Sequence, residues 1–289
     1  MVFARTTGRA AAGVALLFLA AVQPAQASFI TYSRFEEGAG MTFADSSGNG
    51  HTGTLIGGAA FQANVPVGVV PQTGASNVGS LLLDGSSGYG RVPDAATLRP
   101  STGITLEAYF RLDAAASTSI LFGRQFSTGT ANSFQLGLRP NLFFGLTDVG
   151  GVPQTIDTAF APALGRWYHV AGTSDGTTMR LYIDGAEIGS TLFAGPIGYP
   201  GSNPILIGAD DDGSGRFGFF RGGIDEVRIS DTALAPREFL NAPQVVPEPS
   251  SLLLLTAGLV SLAVGQLRVR RRSTPPNELR VQADGSVSP

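Results

Sequence analysis

From Ile104 to Leu112 the chain alternates. Ile104, Leu106, Ala108, Phe110 and Leu112 share one phase, and Thr105, Glu107, Tyr109 and Arg111 take the other. A period of two predicts a strand with one buried face and one wet face. In "WYHVAGTSDGTTMRLYIDGAEIGS", Trp167 to Ser190, the residues Met179, Leu181 and Ile183 again share a phase, and turns are expected at Asp175-Gly176 and Asp184-Gly185. Asp-Gly suits a type I′ hairpin, in which both central residues take positive φ. The 39 Gly and 18 Pro of the 289 residues lie scattered between short β-rich runs, and no repeat of 20 to 50 residues is visible. That punctuation predicts an all-β sandwich or barrel, not a solenoid or propeller.

Both ends break this pattern. Arg5 and Arg9 precede the apolar run from Ala10 to Val22, and Ala25-x-Ala27 follows. Charge, apolar core and small residues in that order predict a secretory signal peptide over residues 1–27, cleaved after Ala27. A linker over 242–249 carries Val246-Pro247-Glu248-Pro249, residues 250–267 hold no charge, and Arg268, Arg270, Arg271 and Arg272 come next. The uncharged run is near the length of a membrane-spanning helix, and the arginines would hold its end in the cytoplasm together with the tail over 268–289. Pro247, Glu248 and Pro249, an apolar helix and an Arg cluster in that order resemble the PEP-CTERM sorting tail of Gram-negative bacteria. The resemblance implies processing by an exosortase and delivery to the cell envelope or extracellular matrix. The segment from Ser273 to Pro289 extends further past the arginines than is usual for such tails.

Composition then removes whole classes of chemistry. The chain has neither Cys nor Lys and only His51 and His169, so disulfide staples, a thiolate nucleophile, a Schiff base, a Walker lysine and a structural zinc cluster are excluded. Between Ser28 and Val245, 12 arginines face 19 acids, a net charge of −7, which argues against nucleic acid as a partner.

Four segments carry a second resemblance: "RFEEGAGMTFADSSGNGHTGTLIGG", "LLLDGSSGYGRVPDAATLRPSTGITLEAYFRL", "GRWYHVAGTSDGTTMRLYIDGAEIGS" and "GGIDEVRISDTALAPREF". In this order they resemble a LamG-like, concanavalin A-type jelly roll over residues 28–241. The resemblance implies two stacked antiparallel sheets but no single function, since relatives include binding modules, adhesion modules and glucanases.

Candidate chemistry centres on Ala44 to Gly53, "ADSSGNGHTG". Its Gly48-x-Gly50-x-x-Gly53 fits a dinucleotide fingerprint, but no helix pattern opens at Gly53. Its Asp45-x-Ser47-x-Asn49-Gly50 fits the first half of a calcium loop, while the twelfth position, where such loops place a bidentate Glu, is Ile56. Calcium would therefore need a carboxylate from elsewhere. Asp225 shares its alternation with Val227 and Ile229, which places an acid on an apolar side, an expensive arrangement without a partner. Resemblance to the LamG-like and glucanase families implies a structural calcium site joining Asp45, Asn49 and Asp225, with Glu37 as an extra ligand; the alternative is an Asx turn, with Asp225 paired to an arginine. "ADDDGSG", with Asp210 to Asp212, reads as a solvated loop tip. The glutamates Glu36, Glu37, Glu107, Glu187, Glu226 and Glu238 include none in the E-x-D-x-x-E spacing of the related glucanases. His169 in its strand is expected to be packed, and Trp167 likewise. Tyr89, Tyr109, Tyr199, Phe217, Phe219 and Phe220 fall outside the cleanest core phases and offer faces on which sugars could stack. The expected function is thus a non-catalytic, envelope-sorted binding or adhesion module for extracellular polysaccharide. The alternatives are a glycoside-active enzyme with an atypical site and a purely structural matrix protein.

Overall fold

The computed structural model describes residues 29–243. The expected signal peptide, PEP motif, membrane helix and Arg cluster lie outside them, and no helix among the described residues is long and apolar enough to cross a membrane. The chain begins with β1 (Phe29–Ser33), β2 (Thr42–Phe43), β3 (Gly53–Ile56), β4 (Ala60–Gln62), β5 (Ser80–Asp84) and β6 (Tyr89–Val92). It continues with β7 (Ile104–Leu112), β8 (Ser119–Gln125), β9 (Asn132–Leu138), β10 (Leu142–Thr147), β11 (Pro153–Thr158) and β12 (Trp167–Ser174). The last strands are β13 (Thr178–Ile183), β14 (Ala186–Leu192), β15 (Ile205–Ile207), β16 (Asp210–Asp211), β17 (Arg216–Phe217) and β18 (Arg221–Ser230).

Two eight-stranded antiparallel sheets hold most of them. The first runs β14-β13-β12-β7-β18-β5-β4 with β1 added beside β18, and the second runs β11-β10-β9-β8-β15-β6-β3-β2. One core lies between them. Leu81, Ile224, Phe110 and Tyr168 stand side by side on the first sheet, and Ile207, Phe122, Leu136, Phe144 and Ile156 do so on the second. The jelly roll sandwich expected from the sequence is what forms. At Asp184-Gly185 both residues have positive φ, 49° and 83°, as a type I′ turn needs. At the other predicted turn only Gly176 does, and the Asp175 carboxylate caps the N–H groups of Thr177 and Thr178.

The outer face of the first sheet departs from the expectation. The alternation of β7 is right, but all nine of its residues are buried, because the loop ahead of β5 and the segment after β18 roof this face. Val70 and Leu240 pack on Tyr32, Tyr109 and Trp167, and Leu234 and Phe239 pack on Ala171 and Tyr182. Beneath the roof Glu107 is fully buried between Arg228 and His169, accepting from the Arg228 guanidinium, from His169 Nε2 at 3.0 Å and from Leu240 N at 2.9 Å. Burial alone would raise the Glu107 pKa, yet Arg228 and then His169 hold it below the usual carboxylate range. His169 is therefore packed and paired, as its strand position suggested.

Candidate functional site

The Ala44 to Gly53 stretch folds as a turn beside β1. Asp45 accepts from the N–H groups of Tyr32 (2.9 Å), Ser47 (3.0 Å) and His51 (3.0 Å) and from Ser47 Oγ (2.8 Å). Its burial would raise the carboxyl, but these donors keep it below its ordinary value. The Asn49 amide donates to the carbonyls of Phe29 (2.8 Å) and Ile30 (3.2 Å), and Glu37 accepts from Ala44 N at 2.7 Å. Gly53 opens β3 against the Phe43 ring, so no helix follows the glycines and no phosphate cradle exists there.

Asp225 is elsewhere, and a bulge explains why. The register of β18 against β7 shifts between Asp225 and Arg228, with Glu226 at φ 52°. Two residues therefore occupy the space of one, and the alternation read across Asp225, Val227 and Ile229 fails at that point. Asp225 stands opposite Tyr109 on the roofed outer face, while Ile224 and Val227 point into the core. Its carboxyl accepts from Asn77 Nδ2 and Glu226 N, both at 2.9 Å, and burial pushes its pKa up to about 8. Glu226 accepts from Tyr32 Oη and, at 3.1 Å, from Arg34 Nε. The structure thus gathers Asp45, Asn49 and Glu37 around β1 and leaves Asp225 with Asn77. The side chains of all four are engaged by protein donors or acceptors, and no three His, Asp or Glu among the described residues form a group able to hold a metal ion.

A different site lies on the outer face of the second sheet. One rung of that face reads Arg91, Leu206, Gly123, Gln135, Gly145 and Thr155 across β6, β15, β8, β9, β10 and β11. Beside Gln135, Gly145 leaves the sheet bare, as strand glycines do where something must approach closely, whereas Gly123 on the other side is buried against the Gln135 side chain. Over β9 to β11 this opens a cleft of about 290 Å³, lined by Asn132, Gln135, Arg139, Phe143, Gly145 and Thr155 among others. Arg139 lies over the Phe143 ring, 4.4 Å from its centroid, and pairs with Asp157 at 3.4 Å.

The segment read from sequence as a solvated acidic tip bounds the cleft. β16 and β17 form a small hairpin that crosses β8: Gly208 N donates to Leu121 O, Ile120 N to Gly218 O and Gly129 N to Asp212 O. Only the tip is solvated, where the Asp212 carboxylate caps Ser214 and Gly215. Asp210 is 4% exposed and accepts from Gln135 Nε2 (2.5 Å), Asn132 Nδ2 (2.9 Å) and Asp211 N (2.8 Å); burial raises its pKa despite these donors. Across the hairpin, half-buried Phe219 lies 6.5 Å from the Tyr89 ring, which the Arg216 guanidinium covers at 5.4 Å, and Arg216 also pairs with Asp211. Of the aromatics singled out by phase, Tyr109 and Phe220 are buried and Tyr199 packs on the core; Trp167, expected to be packed, is half-buried under the roof. Asn132, Gln135 and the buried role of Asp210 were not visible in the sequence; the signal that could have found them is Gly123, Gly137 and Gly145 recurring inside apolar strands.

Comparison with known proteins agrees with this architecture. The sequence profile of the concanavalin A-like lectin/glucanases superfamily matches residues 84–238, and that of the PEP-CTERM protein-sorting motif matches residues 245–272. No curated protein matches the chain. Among solved structures, the binding domain of Paraclostridial Mosquitocidal Protein 1 aligns with a TM-score of 0.57 at 16% identity, over 73% of this chain and 50% of that one. Domain 4 of AbnA, a GH43 extracellular arabinanase from Geobacillus stearothermophilus solved with arabinotriose, aligns at 0.54 and 20% identity, over 73% of this chain and 96% of that one. The botulinum neurotoxin serotype G binding domain aligns at 0.53 and 14% identity, over 73% and 49%. The chain therefore spans about half the length of the toxin domains it matches, and at these identities the likeness is one of fold. With the profile covering more than half of the sequence and the two-sheet sandwich in place, the chain belongs to the concanavalin A-like lectin/glucanases superfamily.

Proposed function

We propose that the protein is a non-catalytic module that binds an extracellular polysaccharide in the cleft over β9 to β11. The observation that carries this reading is the cleft itself: Gly145 in its floor, with side-chain amides and hydroxyls around it on a sheet face, which is the equipment for gripping sugar hydroxyls. Support comes from the AbnA domain, a fold relative captured with arabinotriose. The PEP-CTERM motif implies export and sorting to the envelope, where such polymers are found, with an exosortase as processing partner. Glycoside hydrolysis needs two carboxyl groups flanking one bond. No acid is among the residues lining the cleft, and Asp210 sits behind the amides of Asn132 and Gln135.

A glycan array followed by calorimetry tests the proposal. Exposed Thr155 lies on the cleft rung beside Gly145, so Thr155→Trp should fill the cleft without disturbing the core. Binding by the native protein that is lost in this variant is expected. No bound glycan, or one that binds both proteins equally, would remove the cleft from the proposal.

A further inference from the structure

Asp210 does nothing for a sugar directly, yet it dictates what the cleft presents. A side-chain amide has a donor end and an acceptor end, and an ionised carboxylate accepts only. Facing Asp210, both Asn132 and Gln135 must turn their nitrogens inward, and they do so at 2.9 and 2.5 Å, with Asp211 N completing the set at 2.8 Å. Their oxygens are left over. Asn132, 8% exposed, keeps a buried Oδ1 without a partner, and Gln135 Oε1 has none among the described residues. Asn132 Oδ1 has no access to solvent, so the acceptor offered to whatever enters is Gln135 Oε1, and no protein group among the described residues answers it.

We infer that Asp210 is a positioning residue that, with Asn132 held beside it, locks Gln135 with its oxygen toward the cleft and so selects a neutral, hydroxyl-donating sugar over a uronate. A uronate would bring acceptor oxygens and negative charge against the Gln135 carbonyl oxygen with a carboxylate behind it, while the charge of Arg139 in the same cleft is already answered by Asp157. A neutral sugar brings hydroxyl donors. The inference rests on the glycan-binding reading and adds to it the class of sugar and the residue that enforces it.

The test uses the full chain, with arabinotriose, cellotriose and laminaritriose as neutral probes and trigalacturonate as the acidic one, followed by calorimetry and by the side-chain NH₂ resonances of Asn132 and Gln135. Expected are slow solvent exchange of both NH₂ groups in the free protein, their perturbation by a neutral trisaccharide, and at least about tenfold weaker binding of trigalacturonate, the usual penalty for one buried polar group left unmatched. Asp210→Asn sets a donor either against both amides, which share one carboxylate oxygen, or against Asp211 N, and either placement breaks the set of three donors that holds Gln135; neutral binding should fall about tenfold and the discrimination against trigalacturonate should shrink. Gln135→Met removes one acceptor while leaving Asp210 and Asn132 paired, and gives the same loss should Asp210→Asn fail to fold. Neutral binding unchanged in both variants, rapid exchange of both NH₂ groups, or trigalacturonate binding as tightly as the neutral probes would overturn the inference while leaving glycan binding in place. No response to any trisaccharide would overturn both.

Discussion

Replacing Asp225 by asparagine should stabilise the protein at neutral pH, because the native carboxyl is held in its neutral form by burial. Its pKa is pushed from the ordinary 3.8 to about 8. The folded pKa lies above the unfolded one, so the group's contribution is fully present below pH 3.8 and is lost as pH rises through about 8. Between those values the unfolded chain gives up a proton that the folded one keeps. At about 1.36 kcal/mol per pH unit, this one group weakens the fold by roughly 4 kcal/mol at pH 7 relative to acid. An amide carries no such proton. It must still be satisfied where it sits, 0% exposed, and Asn77 offers the means: its Oδ1 is buried without a partner and can accept from the new NH₂ once the Asn77 amide turns. Part of the gain is offset by that rearrangement, leaving about 2 kcal/mol at pH 7, or about 5 °C for a domain of this size. Urea unfolding of Asp225→Asn and native protein from pH 4 to pH 8 checks this. The rearrangement cost does not depend on pH, so the variant should be the less stable by about 1.5 kcal/mol near pH 4, the two should cross between about pH 5 and 6, and the native protein should fall below the variant as pH rises further. A variant less stable at pH 7, or a difference independent of pH, would refute the reasoning. The series run with calcium and with chelator extends the test, since calcium ligation requires the carboxylate: a loss in the variant seen only with calcium would support the site expected from sequence.

Other perturbations test the frame around the site. Glu107→Gln leaves the Arg228 guanidinium buried without its counter-charge and should lower stability by about 3 kcal/mol, read as a lower urea midpoint. Phe239→Ala empties the contact of the roof with Tyr182, whose ring centroid is 5.1 Å away, and should cost about 3 kcal/mol by the same measurement. Gly172→Ala would drive a methyl to within 2.6 Å of the Phe144 ring across the core, and a loss of about 2 kcal/mol in thermal unfolding is expected.

What the sequence disclosed was whatever depends on neighbours along the chain. The phase of β7, the Met179, Leu181 and Ile183 face and the turn at Asp184-Gly185 are local, and each forms as its pattern dictates. Hidden was what depends on a second segment arriving from far away. Glu107 reads as a wet-face residue until Leu240 and Arg228, both more than 100 residues distant, close over it. Asp225 reads as core-facing because period-two counting has no means of registering one extra residue at Glu226. Asp210 reads as loop because its partners, Asn132 and Gln135, lie 78 and 75 residues earlier. The fold was legible from order and alternation; the cleft was not, since it is made of what Gly145 omits and what a hairpin covers.

That hairpin also fixes how a long polymer meets the protein. Lying across β8, it separates the cleft from the Tyr89 side on the outer face of the second sheet. Under the proposed function a polymer is then held along β9 to β11, the direction in which the lining runs from Thr130 to Arg139, and not across the sheet toward Tyr89.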